Sequence, residues 1–132
     1  MDAAVNILGD GALLTNQVEV HPFMANTRVV EHARELGLKV TGYMPLAVGK
    51  VLEDATLKHI AGAHNANPAQ IAIAWTAARG IIPTPSSTNP EHQKSNLEAM
   101  GISLNEDELR AVSELDRAER LANPDIAPAW DE

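Results

Sequence analysis

The stretch TNQVEVHPFMANTRVVEHARELGLKVTGYM, residues 15–44, decides the fold class. From Thr15 to Val20 the side chains alternate. Val18 and Val20 face one way and Gln17 and Glu19 the other, the period of a half-buried strand. His21-Pro22 ends it, because proline cannot donate to a strand ladder. Asn26 is placed to cap a helix whose apolar positions are Val29, Val30, Ala33 and Leu36, with Gly37 as its stop. Leu38–Met44 is rich in β-formers and ends at Pro45. Strand, helix and strand with a connection of this length predict a right-handed parallel crossover.

The pattern continues outward in both directions. Residues 2–8 predict a short helix with Ala3, Ala4, Ile7 and Leu8 on one side, too short to stand without packing. Asp54 can cap a helix reaching about His64, with Leu57, Ile60 and Ala61 inward. Asn67-Pro68 starts another, carrying Ile71, Trp75 and Ala78 at helical spacing and stopping at Gly80. Ile81-Ile82-Pro83-Thr84 reads as a short buried strand, followed by a loop, Pro85–Asn89. Asn89-Pro90 opens a helix that runs through Leu97 to Met100. Asn105 with Glu108 forms a capping box for a last helix that buries Leu109, Val112 and Leu115. A proline-containing tail, 120–132, ends at Ala129-Trp130. Strands alternating with helices imply an α/β fold with a parallel sheet. An open sheet of so few strands leaves two bare edges. It therefore reads as part of a larger α/β design, or as a protomer that hides its edges by association.

Composition narrows the function classes. The 132 residues are expected to form a single domain over 1–132. Only Phe23, Tyr43, Trp75 and Trp130 are aromatic, so the core is aliphatic and rich in alanine. The net charge is −8, and residues 103–132 hold nine acids against three arginines. A negative surface repels phosphate backbones, which argues against nucleic-acid and anionic-membrane partners. Zero cysteines exclude disulfides and thiolate metal sites and fit a cytoplasmic protein. No apolar run reaches membrane-spanning length, and the N-terminus lacks the features of a signal peptide. His59 and His64 are five apart, off the spacing that puts two ligands on one helix face, so no metal site is expected. His32 falls on a solvated helix face, and His21 reads as structural. Glu19 is a general base in principle, yet no partner acid or nucleophile accompanies it.

Three places could hold a ligand. In IIPTPSSTNPEHQKSN, residues 81–96, Ser86, Ser87 and Thr88 precede a helix N-terminus and His92 sits on its first turn. Hydroxyls, free backbone N–H groups and the helix dipole would favour an anion there; the alternative is an ordinary serine-rich cap and loop. Tyr43 lies near the C-terminal end of the second strand, where parallel α/β folds gather ligands. It either stacks on a cofactor ring or packs at the rim of the core. Gln17 either bonds an amide-bearing ligand or is an interior polar group satisfied by protein or water.

Taken in order, TNQVEVHP (15–22), GYMPLA (42–47), NPAQIAIAW (67–75), IPTPSST (82–88) and SNL (95–97) resemble the aldo-keto reductases. The ending ERLANPDIAPAWD resembles the bacterial 2,5-diketo-D-gluconate reductase B type. The resemblance spans essentially the whole chain. It implies a partial (β/α)8 TIM barrel, comprising the last three parallel strands, their surrounding helices and the C-terminal tail, a truncated half-barrel. The family reduces aldehydes and ketones with NADPH, using a tyrosine as proton donor supported by a lysine, an aspartate and a histidine. All four belong to the earlier part of the barrel, so no catalytic residue is assigned here. Tyr43 matches the nicotinamide-stacking tyrosine and not the proton donor. The resemblance further places Gln17 at the nicotinamide amide, Leu46 along the pyrophosphate, and Ser86, Ser87 and Thr88 at the adenosine 2′-phosphate. It places Ser95 and Asn96 at the adenine. Many members carry a lysine where Ser86 stands and an arginine where His92 stands. Without those fixed charges, NADP(H) affinity is expected to be weak or lost.

Three functions follow as expectations. One is a half-barrel that cannot reduce carbonyls alone. Another is an enzyme of a different kind, either completed by a partner chain or using Glu19, His21 and Tyr43 in a new site. The last is an interaction module, a homodimer or higher oligomer formed through the exposed barrel interior and strand edges.

Overall fold

In a computed structural model, residues 1–126 are described. The order is α1 (Asp2–Leu8), β1 (Thr15–Glu19), α2 (Thr27–Glu35), β2 (Lys39–Tyr43), a 3₁₀ segment (Ala47–Glu53), α3 (Ala55–Ala63), α4 (Pro68–Ala78), β3 (Ile81–Thr84), α5 (Pro90–Glu98), a 3₁₀ turn (Ala99–Gly101) and α6 (Glu106–Ser113). The three strands form one sheet in the order β1-β2-β3, all parallel, as the 15–44 crossover predicts.

The sheet has two unlike faces, because side chains alternate along each strand. Val18, Val40 and Ile81 face the helices and are buried. With Val20, Trp75, Ile71, Leu57, Ile60 and Val112 they belong to one aliphatic core. Gly42 lies in this layer. A Cβ there would sit 3.1 Å from Ile81 Cγ2 and 3.2 Å from Val20 Cβ, so any larger residue would have to push these neighbours aside. The opposite face carries Thr15, Gln17 and Glu19 on β1, Lys39, Thr41 and Tyr43 on β2, and Ile82 and Thr84 on β3. It is largely polar, where an uncovered apolar interior was expected. Ile82 is the one exposed large aliphatic side chain among these strand residues, and further uncovered apolar groups, Leu14, Leu97 and Met100 among them, lie outside the strands.

The helix caps follow the sequence closely. Asp54 accepts from Leu57 N–H, and both Asn67 with Gln70 and Asn105 with Glu108 close reciprocal capping boxes. Asn26 departs from expectation. Its backbone is left-handed (φ 48°), its side chain makes no cap bond, and Nδ2 donates to the Glu19 carbonyl at 2.6 Å. The apolar side of α1 was expected to pack, yet Ile7 and Leu8 are 81% and 57% exposed, since no neighbouring layer meets it. In α4 every residue from Gln70 to Thr76 is buried, because helices, sheet and loop surround it, whereas Ala78 at its end is exposed. Ile82 is 53% exposed, so β3 is buried on one face only. Ala129-Trp130 lies outside the described residues. No described helix is long and apolar enough to cross a membrane.

Candidate cofactor-binding site

Parallel strands carry their ligand-facing loops at their C-terminal ends, and here those loops enclose a cavity of about 340 Å³. Leu46, Gly49 and Leu52 come from the loop after β2. Asn67 and Ala69 come from the start of α4, Ser86 and Ser87 from the loop after β3, and His92, Ser95 and Asn96 from α5. Of the residues singled out from the sequence, Leu46, Ser86, Ser87, His92, Ser95 and Asn96 meet at this one place although the first and last lie 50 positions apart in sequence. Thr88 is exposed and stands outside the lining. A smaller cavity of about 270 Å³ shares Leu46, Gly49 and Ser86 and extends to Met44, the neighbour of Tyr43. Gln17 and Tyr43 lie further back on the open sheet face, on adjacent strands. A further cavity, about 510 Å³, also reaches Ser86 and Ser87. It shares Ser86, Ser87 and Asn96 with the first and adds Gln93, but its apolar wall, Ile73, Pro83, Leu97 and Met100, comes from β3 and its neighbours rather than from the loop after β2.

Hydrogen bonds fix part of the lining and leave part unengaged. Asn67 Nδ2 donates to Ser95 Oγ at 3.1 Å, and Gln70 Nε2 donates to the Ser95 carbonyl at 3.0 Å, which ties α5 to α4. Ser87 Oγ accepts from Asn89 N–H at 3.1 Å, and Gln93 Nε2 donates to the Ser87 carbonyl at 2.7 Å. The side chains of Ser86, His92 and Asn96 bond no other described residue. The N-terminus of α5 offers less to an anion than its sequence implies. Pro90 has no N–H, Asn89 Oδ1 takes the Glu91 N–H at 2.9 Å, and the Glu91 carboxylate sits in the first turn. Hydroxyls, an amide and an imidazole remain, a set that suits the polar edges of an adenosine better than a doubly charged phosphate.

Glu19 is not available as a base. It is 1% exposed, and its carboxylate accepts from His21 Nε2 at 2.8 Å, Leu121 N–H at 2.7 Å and Ala122 N–H at 2.9 Å. Burial pushes this carboxyl up, but the tail amides and His21 together hold it below its ordinary value. Burial pushes His21 down, against the pull of Glu19, so it stays a neutral donor in a structural pair. Burial, and then the Glu19 charge, raise the Tyr43 hydroxyl, against a smaller opposing effect of Arg120. Tyr43 is therefore a neutral aromatic surface. No described cluster of His, Asp and Glu could hold a metal. Asn67, Ala69, Gly49 and Leu52 were not expected in the lining. Asn67 announces itself in sequence only as a cap, and its second hydrogen bond depends on where α5 lands.

The aldo/keto reductase family model matches residues 9–117. The chain belongs to the aldo/keto reductase family. It is 40% identical over 132 residues to methylglyoxal reductase DkgB of Escherichia coli O157:H7, covering 99% of this chain and 49% of that protein. It is 38% identical over 124 residues to the NAD(P)H-dependent D-xylose reductase xyl1 of Aspergillus niger, covering 83% of this chain and 39% of that one. The chain thus spans about half the length, or less, of the curated relatives it matches. A Gox0644 variant in complex with NADPH superposes with a TM-score of 0.84 at 29% identity, over 97% of this chain and 49% of that one. Ligand-free Gox0644 gives 0.80 at 32% identity, over 87% and 43%. The three-stranded unit is therefore part of an aldo/keto reductase barrel.

Proposed function

We propose that these residues form the cofactor-binding part of an NADP(H)-dependent carbonyl reductase and do not reduce carbonyls by themselves. Gln17 and Tyr43 face the nicotinamide, and Leu46 runs along the pyrophosphate. Ser86, Ser87 and His92 lie at the phosphate-bearing side of the adenosine and, without a fixed positive charge, hold it weakly, with Thr88 outside the lining; Ser95 and Asn96 lie at the adenine. What carries this reading is the convergence of Leu46, Ser86, Ser87, His92, Ser95 and Asn96 on one cavity. The bound cofactor supplies the hydride. The protein's part is to lay its ring on Tyr43 and hold the adenosine end in the cavity. The sequence has one tyrosine, Tyr43, which this reading uses for stacking, so no proton donor of the family's kind remains. NADPH titrated into the protein should bind saturably, and Tyr43→Ala or Ser87→Ala should weaken it. No binding at millimolar ligand would refute the cofactor role. NADPH turnover with small dicarbonyls should not exceed a protein-free control; clear activity at low protein concentration would refute the missing donor.

The bare edges of β1 and β3 favour a second reading, in which another chain or a second copy completes the barrel. The completed assembly would then reduce small carbonyls of the kind named for methylglyoxal reductase DkgB. Co-expression with the N-terminal half of a reductase should yield a complex and restore turnover; failure of both excludes completion by another chain. Light scattering at micromolar concentration should show a dimer or larger species. A soluble monomer would exclude self-association.

A further inference from the structure

Residues 117–122 form a strap over the C-terminal end of β1. The N–H groups of Arg117 and Glu119 both donate to the Phe23 carbonyl, at 3.3 and 2.9 Å. The Arg117 guanidinium lies 4.1 Å from the Phe23 ring centre. Leu121 and Ala122 close the clasp on the buried Glu19 carboxylate. The strap therefore helps explain why residues 21–26, a tight turn closed by His21 and Met24 and belonging to no helix or strand, are buried throughout. One strap side chain reaches elsewhere. Glu119 pairs with Lys50, which belongs to the loop that lines the candidate cofactor cavity.

That loop is strained. Ala47, Val48 and Gly49 lie one after another at positive φ, 48°, 55° and 86°. Glycine adopts this conformation freely, but a β-branched valine does so only under constraint. Val48 is 75% exposed, so packing of its own side chain does not hold it there. The constraint comes from its neighbours: Ala47 and Val51 are buried, and Lys50 is tied to the strap. The backbone that bends through Val48 is the same backbone that presents Leu46, Gly49 and Leu52 to the cavity.

We propose that the strap, clasped by Glu19 and tied through Glu119 to Lys50, holds the 46–52 loop in the shape that forms the cavity wall. Glu19 and Lys50 are then positioning residues for a site that neither of them lines. The structural coupling stands by itself; its consequence for nucleotide rests on the cofactor reading above.

Amide exchange on the ligand-free protein tests the coupling. In Lys50→Met the Ala47 and Gly49 amides should exchange about two- to fivefold faster, the scale of one partly exposed ion pair, while Leu121 and Ala122 stay protected. In Glu19→Gln the strap amides should open first, with faster trypsin cleavage after Arg117 and Arg120, and the loop amides should follow. Val48→Gly removes the strain, so in that background Lys50→Met should no longer change loop exchange, an outcome that a merely stabilising ion pair would not give. If Glu19→Gln fails to fold, the Lys50 and Val48 pair decides alone. Loop exchange unaffected by Lys50→Met, or affected equally with and without Val48→Gly, would overturn the coupling. NADPH titration separates the two ideas. Wild type that binds, with Lys50→Met weaker by a similar factor, supports both. Wild type that binds, with Lys50→Met unchanged, overturns the positioning role. Wild type that does not bind refutes the cofactor reading and leaves the exchange result to judge the strap.

Discussion

Asn67 does two jobs with the two ends of one amide, and two substitutions separate them. Its Oδ1 accepts from Gln70 N–H at 3.0 Å and caps α4, while its Nδ2 donates to Ser95 Oγ at 3.1 Å across the cavity. Asn67→Ala removes both. Losing a side-chain cap costs about 1 kcal/mol, in a range of roughly 0.5–2. The reciprocal bond from Asn67 N–H to Gln70 Oε1 survives, and Ser95 Oγ can turn to water, so little is added to that cost. With an unfolding entropy of roughly 2.1 cal/mol/K per residue, a chain of this length has about 0.28 kcal/mol/K in all, so Tm should fall by about 4 °C. Asn67→Asp keeps the acceptor and adds a negative charge at a helix N-terminus, which is favourable by about 0.3–1 kcal/mol. Its stability should match or slightly exceed wild type. Within the cavity, however, it replaces a donor by an anion beside Ser95, at the adenine end, and NADPH affinity should drop about tenfold, the scale of a lost donor and an added charge in a partly closed site. Urea melts and NADPH titration on the three proteins read both quantities. An Asp variant as unstable as the Ala variant would refute the capping argument. An Asp variant that binds NADPH as wild type does would refute the placement of nucleotide in this cavity.

Further outcomes follow from the same geometry. Ser86→Lys with His92→Arg supplies the fixed positive charges that the α5 N-terminus lacks. The pair should tighten NADPH about tenfold, leave NADH nearly unchanged, and make binding more sensitive to salt. His32 is raised above its ordinary value, first by its hydrogen bond to Asp2 and then by that to Glu35, so its folded form binds a proton more tightly than its unfolded form. The stability it contributes is therefore fully present below about pH 6.5 and is lost as pH rises through the higher folded value. Exchange at α1 amides should quicken over that interval, and Asp2→Asn should weaken the dependence. Glu108 is held below the ordinary carboxylate range, chiefly by the Asn105 N–H, with a further contribution from His64. Its contribution is present above about pH 4.5 and is lost as pH falls through the depressed value. Urea midpoints of Glu108→Gln should thus converge with those of wild type in acid.

Periodicity and caps made the α/β order legible, because strand alternation, Asn-Pro starts and capping boxes are written in neighbouring residues. Asp54, Asn67 and Asn105 cap where the local pattern puts them, since each reaches only three residues ahead. Asn26 has the same residue type and fails, because its amide is taken by the Glu19 carbonyl and by Arg120, 94 positions away in sequence. The cavity-lining residues Leu46, Ser86, Ser87, His92, Ser95 and Asn96 were legible through family motifs, whereas their meeting in one cavity is a property of the parallel sheet. Glu19 shows the limit most plainly. Its alternation marks it as facing the open side of the sheet, where a carboxylate would be solvated and reactive. Only the return of the tail, delivering two backbone N–H groups from Leu121 and Ala122, turns it into a buried clasp. Sequence therefore determined the elements and the family, because those depend on short-range chemistry and shared motifs. Tertiary structure decided which polar groups are satisfied and which remain free for a ligand, because that depends on contacts between segments that are distant along the chain.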